Sequence, residues 1–210
     1  MRPLPRLYPV VDVELAAGRG WEPVDLARAF LEGGARLLQL RAKNVDSSSL
    51  LALADRLMPL ARAYGADVIV NDRADVARMA GAAGVHVGQE DITAREARRV
   101  VGPEAIVGLS THTLEQVEAA ASGPVSYIAV GPVFGTTTKD TGYTAVGLEL
   151  ITAAAARAGA VPIVGIGGID LDRAPAVLAA GAASVAVISD LLTPDPTARI
   201  RQYIELLGAP

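Results

Sequence analysis

A chain of 210 residues without cysteine excludes a disulfide framework, a thiolate nucleophile and a Cys-bound zinc. A net charge of −4 with no long basic cluster argues against nucleic-acid or anionic-lipid partners, and no run of about 18 apolar residues free of charge, Gly-Gly or Pro offers a membrane span. With 51 % hydrophobic but only 4 % aromatic residues, the core must be Ala, Val, Leu and Ile, which suits buried parallel strands under Ala-rich helices.

Met1-Arg2-Pro3-Leu4-Pro5 is too short and Pro-broken to read as a signal peptide, so a cytoplasmic protein is expected. Residues 7–12 read as a first strand, followed by a loop carrying Gly18 and Gly20 and a helix over 23–32, with Pro23 in its first turn. The apolar run 36–41 is a second strand. Ser47-Ser48-Ser49 supplies the N-cap of a helix that ends at Gly65. Strand three covers 67–70, a short helix 74–80 and strand four 85–87. Thr93 caps a helix to Val101, strand five is 105–109, and Thr113 caps a helix to Ala121. Strand six is 125–130. A polar loop, 131–146, leads to an Ala-rich helix, 147–157. Strand seven, 161–165, a helix over 171–180, strand eight, 184–188, and an amphipathic helix over 196–207 complete the chain.

Eight strands alternate with helices without a composition break, which predicts one (β/α)8 TIM barrel spanning 1–210 as a single catalytic domain. Gly-Ala steps at 34–35, 65–66, 159–160 and 181–182 and the Ala83-Gly84 step fall between a helix and the next strand, where glycine takes the left-handed helix-ending conformation. An open doubly wound sheet is disfavoured because its Gly-rich turn is missing from the first β/α junction.

Active sites of such barrels form at the C-terminal ends of the strands. Strand two ends in Gln39-Leu40-Arg41-Ala42-Lys43, whose odd-numbered side chains share a face and span about 13 Å, the length of a small ring with a diphosphate tail. A neutral amide, a fork-shaped cation and a point cation form a reader for such a ligand. Lys43 and Lys139 are the two lysines beside 17 arginines. Strand three ends in Asn71-Asp72-Arg73, and Gly88-Gln89-Glu90-Asp91 follows strand four. Asp72 and Asp91 thus end adjacent β/α units and as a pair read as ligands within reach of one magnesium ion, although each alone reads more readily as a turn or cap former. Strand five ends in Ser110-Thr111-His112. Thr136-Thr137-Thr138-Lys139 offers hydroxyls, amides and a cation to a phosphate. Gly167-Gly168 and Ile188-Ser189 follow strands seven and eight, the usual phosphate corner of this fold. His86, within a strand, reads as a core or rim hydrogen-bonder, and His112 as a residue at a helix start.

Taken together, Gln39 to Lys43, Asn71-Asp72-Arg73, Gly84-Val85-His86-Val87-Gly88-Gln89-Glu90-Asp91, Gly108 to His112, Gly131-Pro132-Val133-Phe134 with Thr136 to Lys139, and Ile166-Gly167-Gly168-Ile169 resemble the thiamine-phosphate synthase family, in order and over nearly the whole chain. The resemblance implies a transferase that joins a hydroxymethylpyrimidine diphosphate to a thiazole phosphate, releasing diphosphate with Mg2+. It also implies site roles. Gln39, Leu40, Arg41, Ala42, Lys43, Asn71, Ser110 and Lys139 would meet the pyrimidine diphosphate. Asp72 and Asp91 would hold Mg2+. Thr136, Thr137, Thr138, Gly168, Ile188 and Ser189 would meet the thiazole phosphate. Lys139, Ser110, Arg41 and Lys43 would carry the catalysis. The implied chemistry is dissociative and needs leaving-group stabilisation more than a general base, which agrees with the lack of a nucleophile or His dyad. The partners expected are these phosphorylated small molecules, with self-association left open. The related thiazole tautomerase shares the barrel but would not need Lys43, Asp72 and Asp91 together. A ligand-binding barrel without turnover is the alternative from another class.

Overall fold

The computed structural model describes residues 3–135 and 144–208. Strands β1 (Leu7–Asp12), β2 (Leu37–Arg41), β3 (Asp67–Asn71), β4 (Gly84–Val87), β5 (Ile106–Thr111), β6 (Tyr127–Val130), β7 (Ile163–Ile166) and β8 (Ser184–Val187) pair in parallel and in sequence order, and β8 returns to β1. The result is a closed (β/α)8 barrel. Helices α1 (Val13–Gly18), α2 (Pro23–Gly33), α3 (Ser47–Ala63), α4 (Ala74–Ala80), α5 (Ala94–Val101), α6 (Leu114–Ala121), α7 (Gly147–Arg157), α8 (Ala174–Ala179) and α9 (Pro196–Leu207) surround it. Among the described residues, no helix is long and apolar enough to cross a membrane.

The strands are apolar on both faces because each face meets a different core. Leu38, Leu40, Val68, Val70, Val85, Val87, Ile128 and Val185 face outward and pack with helix residues such as Phe30, Leu57, Ala97 and Ile151. Tyr8, Val10, Leu37, Ile69, Tyr127, Ala129, Val164 and Ala186 fill the interior. The alternation then places Asp12, Gln39, Asn71 and His86, all buried, among the inward positions nearer the C-terminal mouth. Helix α9 lies on α2, where Ile200 occupies the space a side chain at Gly33 would need. At the opposite end from the mouth, the Arg6 guanidinium donates to the Leu207 carbonyl.

Three local readings change. The stretch after β1 is helical, with the Asp12 carboxylate accepting from Leu15 N at its N-terminus. Asp46, not the serine run, caps α3: its carboxylate accepts from the Ser48 and Ser49 backbones and hydroxyls, which hold it well below the usual range. Gly84 is not a helix terminator; Gly81 ends α4 in the left-handed conformation, and Gly84 begins β4, where a Cβ would lie 1.9 Å from the Ile106 carbonyl oxygen. Thr93 does cap α5, in a reciprocal box with Glu96.

Gly108 has a comparable constraint inside the barrel. A Cβ there would fall 2.1 Å from Tyr127 Cζ and 2.6 Å from His86 Nδ1. Gly108→Ala is therefore expected to cost about 2 kcal/mol or more through overpacking, read as a lower urea midpoint at unchanged slope. A midpoint equal to that of the parent protein would mean that the two rings yield without strain.

Candidate active site

The mouth at the ends of β1 to β5 gathers the charged residues. In the β1–β2 register Asp12 stands opposite Arg41, and their side chains form an ion pair with the carboxylate buried. Glu14 in α1 accepts from the Asn44 backbone at 2.8 Å. Burial pushes its carboxyl upward, but the backbone donors of Asn44 and Lys43 and the nearby Arg41 outweigh this and hold it below the usual range. The first strand and helix α1 thus fix both ends of the 41–44 turn. The first strand thus contributes contacts that none of the sequence motifs marks; the available signal is an Asp at a strand end, one strand away from Arg41.

Lys43 forms an ion pair with Asp72. Asp72 is the one non-glycine residue with positive φ among the described residues, at 63°, a conformation Asp tolerates better than most residues. Its carboxyl is also within hydrogen-bonding reach of Asp91. Burial and the neighbouring Asp91 raise the Asp72 pKa, against the lowering by Lys43. Asp91 is oriented by Gly88, whose backbone N–H donates to its carboxylate at 2.7 Å. Two crowded carboxyls of this kind suit a shared cation. No group of three or more His, Cys, Asp or Glu among the described residues would hold a metal by itself. The Asp72–Asp91 pair would suit a magnesium ion, which proteins typically hold by one or two carboxylates beside substrate phosphates.

Gln39, Ser110 and His86 belong to a hydrogen-bond chain crossing the barrel. Gln39 Nε2 donates to Tyr8 Oη at 3.0 Å, and Tyr8 Oη meets Tyr127 Oη at 3.1 Å. Tyr127 Oη meets His86 Nδ1 at 2.9 Å, and His86 Nε2 meets Ser110 Oγ at 2.8 Å. The Tyr8 and Tyr127 rings meet edge to face, and the Tyr127 and His86 rings stack. Burial raises both phenol pKa values, so both hydroxyls stay protonated. His86 is the core hydrogen-bonder expected of it. The tyrosines were not anticipated, because nothing in a lone inward Tyr tells which partner the barrel will place opposite. Ser110 also accepts from Gln89 Nε2 through its carbonyl, at 2.6 Å. Asn71 is buried beside these residues at the end of β3.

Gly168, Ile188 and Ser189 lie at the β7–β8 corner. Gly167 and Gly168 both have positive φ, and a Cβ on Gly168 would come 2.6 Å from the Gly135 carbonyl oxygen. Ser189 opens a short 3-10 turn, Ser189–Leu191. Asp190 in that turn is anchored by Nη2 and Nε of Arg199 and by the Tyr203 hydroxyl, at 2.8, 3.1 and 2.6 Å. That carboxylate is thus neutralised from behind the corner. Arg173 stacks over Phe134 at 5.0 Å and donates to the Gly168 carbonyl at 2.9 Å. Leu40 and Ala42 hold the β2 end from its outer face. Thr136, Thr137, Thr138 and Lys139 lie outside the described residues.

The thiamine monophosphate synthase family model matches residues 7–191. Among similar proteins, the thiamine-phosphate synthase of Roseiflexus castenholzii is 44 % identical over 201 residues, covering 95 % of this chain and 87 % of its own. That of Koribacter versatilis is 42 % identical, covering 97 % and 96 %. The thiamine phosphate pyrophosphorylase structure from Pyrococcus furiosus superposes with a TM-score of 0.86 at 30 % identity, covering 96 % of this chain and 95 % of that one. A match over most of the barrel, with relatives above 40 % identity along nearly the full length, places this chain in the thiamine monophosphate synthase family.

Proposed function

We infer that this chain, as one catalytic domain over 1–210, is a thiamine-phosphate synthase, a transferase acting on two phosphorylated small molecules. The observation that carries the reading is the convergence, at the mouth of β2 to β5, of Gln39, Arg41 and Lys43 with the Asp72–Asp91 pair and Ser110. The glycine-rich corner after β7 and β8 lies on the same end of the barrel and suits a second phosphate. Two anionic ligands need two anion sites, and these two groups of residues are the candidates for them.

The reaction proposed begins with cleavage of the bond between the pyrimidine methylene carbon and its diphosphate oxygen. The diphosphate keeps the electron pair, and the resulting pyrimidine-methyl cation is captured by the thiazole nitrogen. Arg41 and Lys43 hold the diphosphate and receive its growing charge. Asp12 and Glu14 keep that arm in place, so little reorganisation accompanies bond cleavage. Gln39, Asn71 and Ser110 orient the pyrimidine ring, and Leu40 and Ala42 keep the strand seated. Gly168, Ile188 and Ser189 hold the thiazole phosphate, with Thr136, Thr137 and Thr138 assigned to the same phosphate and Lys139 to the departing diphosphate. Asp72 and Asp91 are the residues that would hold Mg2+, which when bound offsets charge on the leaving diphosphate.

Incubation of the protein with both substrates and Mg2+, with products weighed by mass spectrometry, tests the reading. Thiamine phosphate and diphosphate in equal amounts are expected. A protein that binds both ligands but forms no product would be a binding barrel instead.

A further inference from the structure

Hydroxyl and imidazole groups carry few hydrogens, so a chain of them has a sense. A tyrosine hydroxyl has one hydrogen and a neutral imidazole has one ring N–H. Gln39 Nε2 donates to Tyr8, and the arrangement that leaves no buried hydroxyl hydrogen without an acceptor sends the Tyr8 hydrogen to Tyr127, 3.1 Å away. The Tyr127 hydrogen then goes to His86 Nδ1, and the ring proton sits on Nε2, facing Ser110 Oγ. Ser110 is thereby an acceptor toward His86, and its own hydrogen remains for an acceptor at the barrel mouth. Were the Gln39 amide turned to present its oxygen, every bond would reverse and Ser110 would present lone pairs instead.

We propose that Tyr127, with Tyr8 and His86, forms a one-way hydrogen-bond relay that ties the amide orientation of Gln39 to the donor role of Ser110. Tyr127 is its central positioning residue. It touches neither the mouth nor solvent, yet it links β6 to β1 on one side and to β4 on the other. Gly108 exists in this barrel to admit its ring. The relay leaves Ser110 a hydrogen to donate, so the site favours a pyrimidine substrate that offers an acceptor there, a ring nitrogen or phosphate oxygen, over an analogue that offers none. This rests on the reading that Gln39 and Ser110 face the pyrimidine diphosphate.

The test has a spectroscopic and a kinetic arm. Nitrogen NMR of 15N-histidine protein, without substrate, reads the His86 tautomer, with His112→Asn assigning the two rings. The Nε2–H form is expected in the parent protein and the Nδ1–H form in Gln39→Glu, where an acceptor replaces the donor. The Nδ1–H form in the parent, or no change in Gln39→Glu, overturns the relay. In steady-state kinetics, Tyr127→Phe is expected to lower kcat/KM for the pyrimidine diphosphate about 10-fold, with KM for the thiazole phosphate unchanged. Ser110→Ala should then cost at least 3-fold less in the Tyr127→Phe background than alone. Equal costs in the two backgrounds would make Tyr127 a packing residue only. If Tyr127→Phe fails to fold, the tautomer of Gln39→Glu decides. A tautomer that switches in a protein forming no thiamine phosphate would refute the proposed reaction while leaving the relay standing.

Discussion

Asp72→Asn should lose at least ~100-fold in turnover, about 2.7 kcal/mol of barrier, while folding as well as the parent protein or better. The two effects have one origin. Burial and the Asp91 carboxyl disfavour the charged form of Asp72, so its ionisation at neutral pH costs stability. Asn removes that cost, keeps a hydrogen-bonding side chain and accepts the positive φ. The sign with pH follows. A carboxyl whose folded pKa is raised binds its proton more tightly when folded, so the parent protein gains on the variant as pH falls through the carboxylate range. The stability gap should be widest near pH 7 and close toward pH 4, measured by urea unfolding in EDTA. Asp91→Asn should lose turnover similarly. Full activity of Asp72→Asn with Mg2+, or full activity of the parent in EDTA, would remove the two carboxyls from the mechanism.

Arg41→Ala should injure both fold and binding, and the two can be separated. Asp12 is 2 % exposed, and Arg41 is its ion-pair partner. Removing one partner of a buried pair leaves an uncompensated charge, at a cost of about 3–5 kcal/mol. Asp12→Asn combined with Arg41→Ala should recover most of that stability, since Asn can still accept from Leu15 N at the start of α1. It should not recover affinity for the pyrimidine diphosphate, because the guanidinium is still missing. Urea unfolding and titration calorimetry on the single and double variants read the two quantities. A double variant as unstable as Arg41→Ala would show that the arginine acts through packing and not through charge.

Most of the architecture was legible because the strands are short apolar runs set off by glycine and by Thr or Pro at helix starts. Thr93, Thr113, Pro23 and Pro196 mark α5, α6, α2 and α9 where expected. Helix α1 was illegible because Gly18 and Gly20 read as a loop, whereas Asp12 both caps the helix and ends the strand. The acidic pair was legible from strand ends alone, since adjacent β/α units are neighbours in any parallel barrel. The relay was not. Tyr8 and Tyr127 come from β1 and β6, which are not adjacent, and only barrel diameter and side-chain length bring their hydroxyls together. The Asp12–Arg41 pair fell between these cases: the register implies it, but an Asp closing a strand has many ordinary uses.

The meeting of α9 with the first strand has a consequence for how the chain can be cut. Arg6 reaches the Leu207 carbonyl, and Pro3 and Leu4 line one floor cavity with Leu206 and Leu207. The two ends of the described chain therefore lie together, on the face away from the mouth. A short linker joining them would follow a path the fold has already laid down. The order of the eight units around the ring would then carry no fixed beginning, and new ends opened at the Gly65 or Gly159 turns, also below the barrel, would leave every mouth residue on its original strand. The sequence of this barrel is a circle that happens to be written as a line.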